Sequence, residues 1–324
     1  MSAIIFRTEA GPEVGYARLA RCLTLMAELG SRHDTALVLR GPGSLRRRLL
    51  AAGYPVRGTR ALAAAIVDAT ALVSDLSHEE LGEEMLIAAS LARHLSFTDL
   101  GVGIRRADLL VDGSVAPFLA GGSPPCAVEA GLDYAVLDPR LRRLRACPRS
   151  APARPARIAV VADRPLSGEQ QDLLDTTRSL LRGEASLSRP REFPAGRSYA
   201  AWLDAADLVL SLGASPLYAA AVLGIPAVVV AADPFAAAAG RRFAALGFGQ
   251  IPVGQMLPSA ETLASSLVSL LEDGQRREAM TKRGRSLVDG RGTGRVVALI
   301  DAMTRNRFPL VSRPFAPEVA SCTS

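Results

Sequence analysis

The sequence predicts an α/β protein built from two Rossmann-like halves with mainly parallel sheets facing a central cleft. Three observations predict it. Short apolar runs alternate with helix-patterned segments from end to end, the pattern of strand–helix–strand units. A proline-punctuated stretch, Arg145 to Arg157, interrupts the alternation near the middle. And Ala206 to Val230 reads as a buried strand, a turn of small residues, a helix and a second buried strand. A chain of 324 residues is natural for two domains of about 150 residues each.

In the first half, strands are expected at Ala3 to Arg7, Thr35 to Leu39, Ala71 to Asp75, His94 to Thr98, Leu109 to Val111 and Tyr134 to Leu137. Helices are expected at Tyr16 to Leu29, Ser44 to Ala52 and Ser77 to Ala92, the last opening on Ser77-His-Glu-Glu80, a capping residue followed by acids. The first domain then spans 1–145, with a linker at 146–157. The second domain (158–306) opens with the strand Ile158 to Val161 and a helix near Gly168 to Leu181. It continues through strands Leu208 to Leu212 and Ala227 to Val230 and ends in helices up to Met303, followed by a tail at 307–324. The helices from Ala260 onward should pack on the second domain, with a return to the first left open.

Composition narrows the function. The formal charge of +6 is carried almost wholly by arginine, since Lys282 is the only lysine, and solvated basic surface explains it more simply than a nucleic-acid groove. With 5% aromatic residues a base-stacking platform is not expected, whereas an anionic ligand fits the charge. Cys22, Cys126, Cys147 and Cys322 lack metal-ligand spacing and read as reduced thiols. No stretch approaches the roughly 20 apolar residues of a membrane span, and the start lacks the apolar core of a signal peptide. A cytoplasmic protein with no metal, no cofactor and no membrane span is therefore expected.

The turn Gly213-Ala214-Ser215 is the candidate anion cradle. Small residues between a strand and a helix bring unsatisfied backbone N–H groups close to a ligand, and the helix dipole favours negative charge there. Ser215 is expected to cap the helix or meet a phosphate, with Pro216 at the first helical position. No Ser-His-Asp, metal or P-loop arrangement accompanies it.

The segment Ile4-Ile-Phe-Arg-Thr-Glu-Ala-Gly-Pro-Glu-Val-Gly-Tyr-Ala-Arg-Leu-Ala-Arg-Cys-Leu23 resembles the opening of the UDP-sugar hydrolases of pseudaminic acid biosynthesis and related spore-coat polysaccharide proteins. Asp75 and Asp99 close strands where that family has acids. Gly131-Leu-Asp-Tyr-Ala-Val-Leu-Asp-Pro-Arg-Leu-Arg142 is similar to another of its motifs, and the Ala206 to Val230 unit resembles its nucleotide-binding helix. The resemblance covers roughly residues 3 to 304. It implies a GT-B architecture, a UDP-type nucleotide-sugar ligand and inverting, metal-independent hydrolysis. It also implies work on a sialic-acid-like sugar for flagellin or surface glycan, beside pathway-enzyme or flagellar glycosylation partners.

The departures fall on the chemistry. The family histidine that would activate water lies at Arg18, and the glycine before it at Ala17. The Gly-Gly turn after the first strand of the second domain becomes Ala162-Asp163-Arg164. The ribose-gripping glutamate becomes Ala219, and an Asn-Gln pair becomes apolar residues from Pro234. Arg18 stays protonated and cannot act as a base; it can clamp a phosphate or carboxylate. Substitute bases would be His78, Glu9 or Asp99, each at the carboxyl end of a strand or just after it. Gly15, Arg21, Asp75, Gly213, Ala214 and Ser215 are the candidate nucleotide- or substrate-binding residues. His33 and His94 read as structural or solvated. Three readings follow: a divergent hydrolase with weak activity, a glycosyltransferase on the same scaffold, or a non-catalytic descendant that binds a sugar or a protein.

Overall fold

The computed structural model describes residues 2–77, 91–99, 102–103, 107–115, 126–146, 157–181, 183–189, 199–231, 233–252 and 257–305. Most of the expected helix Ser77 to Ala92, with His78, and most of the linker and the tail lie outside them.

The first sheet holds β1 (Ala3–Glu9), β2 (Asp34–Arg40), β3 (Val56–Gly58), β4 (Ala71–Asp75), β5 (Arg93–Asp99), β6 (Val102–Gly103), β7 (Leu109–Asp112) and β8 (Ala127–Ala130). Its order is β3-β2-β1-β4-β5-β7-β8, all parallel, with the two-residue β6 pairing antiparallel to β5. The inner strands β1, β4, β5 and β7 are buried on both faces, as in a parallel sheet covered on both sides. Ile4, Phe6, Leu37, Leu39, Val73, Leu95 and Phe97 share one core with α1 (Ala17–Leu29) and α2 (Gly43–Ala51). Ile5, Val38 and Leu72 face the other, with Leu62 and Ile66 of α3 (Leu62–Ile66).

The edge of this sheet explains the charge of the whole chain. Between Thr35 and Val67 stand Arg40, Arg46, Arg47, Arg48, Arg57 and Arg60 with no acidic residue, so this stretch equals the net +6. All but half-buried Arg46 are exposed. They wrap the short edge strand β3, where charge guards against strand addition by another chain.

Helix α4 (Pro139–Arg145) precedes the second sheet, which comprises β9 (Arg157–Ala162), β10 (Ser186–Ser188), β11 (Leu208–Leu212) and β12 (Ala227–Val229) in the parallel order β10-β9-β11-β12. Around it lie α5 (Gly168–Leu180), α6 (Tyr199–Asp204), α7 (Ser215–Leu223), α8 (Pro234–Ala245), α9 (Ala260–Glu272) and α10 (Gly274–Leu287). Helix α5 opens on a full capping box, Ser167 with Gln170. Helix α7 is apolar on every side and almost wholly buried, and it ends at Gly224 (φ +72°), where a side chain would collide with Arg285.

Two helices cross between the halves. Helix α4 packs on α6 and α7, and the Arg145 guanidinium donates to the carbonyls of Val288 and Arg285 (both 2.7 Å). The last helix, α11 (Gly292–Thr304), returns to the first sheet, where Val296, Val297, Ile300 and Met303 join its core. Its Asp301 pairs with Arg32 and with His33 (2.7 Å).

One expected strand is corrected. Tyr134 to Leu137 is not in the sheet: Leu132–Tyr134 is a 3-10 turn, and β8 holds the sheet edge instead. Gly131 (φ +107°) turns the chain away, and Thr293 of α11 satisfies the backbone of Leu137 (N–H donor, 3.0 Å). Strands β3, β6, β8 and β10 were not anticipated; two to four residues carry too little alternation to show.

The seam under α11 yields a paired prediction. A methyl group on Gly292 would stand 2.1 Å from the Ala135 carbonyl oxygen, while one on Gly294 meets nothing within 4 Å. In chemical denaturation Gly292→Ala should cost about 1–3 kcal/mol by overpacking. Gly294→Ala should be neutral or stabilising by up to ~1 kcal/mol, the helix-propensity gain. Equal midpoints for the two variants would contradict this packing.

Candidate functional site

Strand parity places the acidic cluster. Asp75 lies on the same face of its strand as Val73, and Asp99 on the same face as Phe97, so both turn towards α1 at the carboxyl ends of β4 and β5. Arg21, on the second turn of α1, reaches between them. Its guanidinium donates to Asp75 through Nε (2.7 Å) and Nη2 (3.0 Å) and to Asp99 through Nη1 (2.9 Å) and Nη2 (2.6 Å). It also lies over the Phe97 ring, 4.7 Å from the centroid. One planar cation thus binds two carboxylates in fork geometry, which a lysine cannot reproduce.

Burial alone pushes the Asp99 carboxyl up, but Arg21 more than reverses this and holds it below the usual range. Asp75 is more deeply buried, and burial outweighs Arg21 and keeps its carboxyl above that range. Each carboxylate accepts two hydrogen bonds from the one guanidinium. Arg18, one turn earlier, forms loose ion pairs with Asp75 (3.8 Å) and Glu9 (3.9 Å), and its Nη1 donates to the Val14 carbonyl at 3.4 Å. Glu9, 4% exposed, accepts from the Ser77 N–H (2.7 Å). Glu9, Arg18, Arg21, Asp75 and Asp99 therefore form one cluster.

Across the cleft, Gly213, Ala214 and Ser215 follow β11 as expected, but Ser215 is not the cap. Ala214 holds the cap position, Ser215 begins α7, and no local side chain caps the helix. The cap comes from Asp163, at the end of β9, whose Oδ2 accepts from the Ser215 N–H at 3.1 Å. A side chain on Gly213 would stand 2.3 Å from that oxygen. The next helix follows the same rule: Asp233 accepts from the Ala236 N–H (2.8 Å) and pairs with Arg164. Ala219 is buried.

The two halves meet at Asp163. Its carbonyl oxygen accepts from the Tyr16 N–H (3.1 Å), and a side chain on Gly15 (φ +76°) would stand 2.9 Å from it. Close by, the Tyr218 hydroxyl of α7 accepts from the Val115 N–H (3.0 Å). Asp163 and Tyr218 were missed as site residues. The available signal for Asp163 was its place in the turn after the first strand of the second half, which reads as a lost glycine rather than a gained carboxylate.

Along 93% of its length the chain is similar in structure to Acinetobacter baumannii MurG, covering 99% of that chain with a TM-score of 0.65 at 15% identity. The chain has the GT-B fold. It is also similar to the spinosyn rhamnosyltransferase SpnG (TM-score 0.60, 15% identity, 94% of this chain and 100% of that one). S. aureus MnaA, solved with UDP, matches at TM-score 0.60 and 11% identity over 97% of this chain and 99% of that one. No protein-family model matches the chain, and no curated protein matches it by sequence. Among the described residues no His, Cys, Asp or Glu cluster could hold a metal, and no helix is long and apolar enough to cross a membrane.

The acidic cluster predicts its own sensitivity. Arg21→Ala leaves two carboxylates facing each other without a cation and should cost about 3–5 kcal/mol in chemical denaturation. Arg21→Lys should recover only part of this. Asp99 is depressed on folding, so its contribution is present above the ordinary aspartate value of about 3.9. It is lost as pH falls through the lower folded value. Stability of Arg21→Ala equal to the parent at neutral pH would show that the bridge carries no weight.

Proposed function

We propose that this chain is a nucleotide-sugar-binding protein of the UDP-sugar hydrolase lineage in which activation of water has been lost. The carrying observation is Arg18 at the base position, ion-paired to Asp75 and Glu9. Arg21 ties up both Asp75 and Asp99, and Glu9 is already an acceptor for a backbone N–H. Glu9, Asp75 and Asp99, the described acids of this cluster, are thus each engaged by an arginine or a backbone N–H. His78 lies outside the described residues and is the one remaining sequence candidate.

In this reading the ligand is a UDP-type nucleotide sugar whose diphosphate is directed to Gly213, Ala214 and Ser215. The setting is cytoplasmic synthesis of a sialic-acid-like sugar of the pseudaminic acid type, for flagellin or surface glycan. The likeness to MnaA, solved with UDP, and to SpnG, also solved with thymidine diphosphate, supports a nucleotide in the cleft. The likeness to SpnG along the whole chain favours one second reading, a glycosyltransferase, which needs no water-activating histidine.

Calorimetry with UDP and a UDP-release assay on UDP-N-acetylhexosamines test the proposal together. UDP should bind while release stays at background, since a positioned general base contributes about 10²–10⁴-fold. The double change Ala17→Gly with Arg18→His restores the family motif locally and should raise release. Robust release by the native protein, insensitive to Arg18, would refute the proposal and point to Glu9, Asp99 or His78. Release only when a sugar or lipid acceptor is added would favour the transferase.

A further inference from the structure

Arg46 differs from the other sheltered guanidiniums of the chain. Arg21 is held by two carboxylates, and Arg145 and Arg277 by main-chain carbonyls. Arg46 is half-buried, yet among the described residues it has neither an ion pair nor a hydrogen bond. Its exposed neighbours Arg47 and Arg60 are likewise unpaired, and no acidic residue lies between Thr35 and Val67.

A glycine makes room for this side chain. Gly58, the last residue of β3, has φ −79° and ψ 166°, an extended backbone that any residue adopts. What a side chain there would meet is the Arg46 guanidinium, since a Cβ would stand 2.6 Å from Nη1. The bare backbone lets the guanidinium lie against the carboxyl end of β3. There it lines a cavity of about 380 Å³ with Gly58, Thr59, Arg60 and Ala61. Two arginines and a threonine thus border one space that has no acid in its lining.

Internal stabilisation does not account for this arrangement. The guanidiniums of Arg46 and Arg47 also lie beside the start of α2: a Cβ on Gly43 would be 3.9 Å from Arg46 Nη2 and 3.7 Å from Arg47 Nη1. That helix end has no acid in its first turn and no side-chain cap. Cations at the positive end of a helix are disfavoured, and a sheltered guanidinium without an anion bears a desolvation cost. Guarding the sheet edge accounts for exposed Arg57 but does not call for a guanidinium folded into a cavity.

We infer that this cavity is a phosphate site, holding the phosphate group of a small phosphorylated molecule between Arg46 and Arg60. A phosphomonoester is close to doubly charged at neutral pH and has three terminal oxygens, enough to meet both guanidiniums and the threonine hydroxyl together. A carboxylate has one charge and fills one guanidinium fork. The volume exceeds that of the phosphate alone and leaves room for the group that bears it. The exposed arginines around it add a positive field that draws anions to this edge. The site is separate from the Gly213 turn, so it stands or falls independently of the nucleotide reading.

Calorimetric titration of the full chain in chloride buffer tests this with inorganic phosphate, glycerol phosphate and malonate as probes. Arg46→Ala should weaken phosphate by roughly tenfold or more, the scale of a lost hydrogen bond to a charged group. Gly58→Ala should do the same by displacing the guanidinium, with a melting temperature equal to the parent's, because the displaced atom is the end of a flexible side chain. Arg48→Ala removes the same charge from the exposed surface of α2, outside the cavity, and should weaken phosphate by less than about fivefold. Arg46→Gln serves if the alanine variant fails to fold. Glycerol phosphate should bind at least as tightly as inorganic phosphate. Absence of phosphate binding by the parent would overturn the site, and equal losses in all three variants would reduce it to a diffuse basic surface. Malonate bound as tightly as phosphate, and lost in the same variants, would replace the phosphate by a carboxylate. Phosphate bound without glycerol phosphate would rule out the ester and leave only the free ion.

Discussion

Arg21 is the residue on which the amino-terminal half of the cleft depends. A parallel sheet covered on both faces shows its chemistry only at the carboxyl ends of its strands, and here those ends carry Glu9, Asp75 and Asp99. Acids this close would repel and drive each other to protonate. One guanidinium, held over Phe97 and forked between Asp75 and Asp99, turns the repulsion into a rigid bridge between β4, β5 and α1.

The carboxyl-terminal half follows the same logic with the signs exchanged. Two of its strands lead into helices whose N-termini are met by an aspartate: α7 by Asp163, which itself follows β9, and α8 by Asp233. Arg164 closes the pattern by pairing with Asp233. Glu9, Arg18, Arg21, Asp75, Asp99, Asp163 and Asp233 are all partnered within the chain.

The halves are joined by more than the covalent chain. Helix α4 leaves the first sheet to pack on α6 and α7, and α11 leaves the second to complete the first core through Val296, Ile300 and Met303. Asp301, held by Arg32 and His33, pins the far end of α11. Between these crossings, Gly15 and Tyr16 meet the Asp163 main-chain carbonyl.

The sequence by itself determined the α/β alternation, the parallel strands β1, β2, β4, β5, β7, β9, β11 and β12, and the position of the small-residue turn before α7. Those features are local: continuous apolar runs, caps such as Ser167 with Gln170, and glycine where the chain must turn. Tertiary structure alone decided the partners. Nothing in spacing says that Arg21 divides itself between residues 54 and 78 positions away. Nor does it show that Asp163, 52 positions before Ser215, supplies the cap that Ser215 was expected to be. The segment Tyr134 to Leu137 reads as a strand in isolation and fails to be one because β8 already holds the edge and α11 offers its backbone a hydrogen bond. Propensity is fixed within a few residues, whereas the occupation of a hydrogen-bond donor is settled by whichever group the folded chain brings to it first.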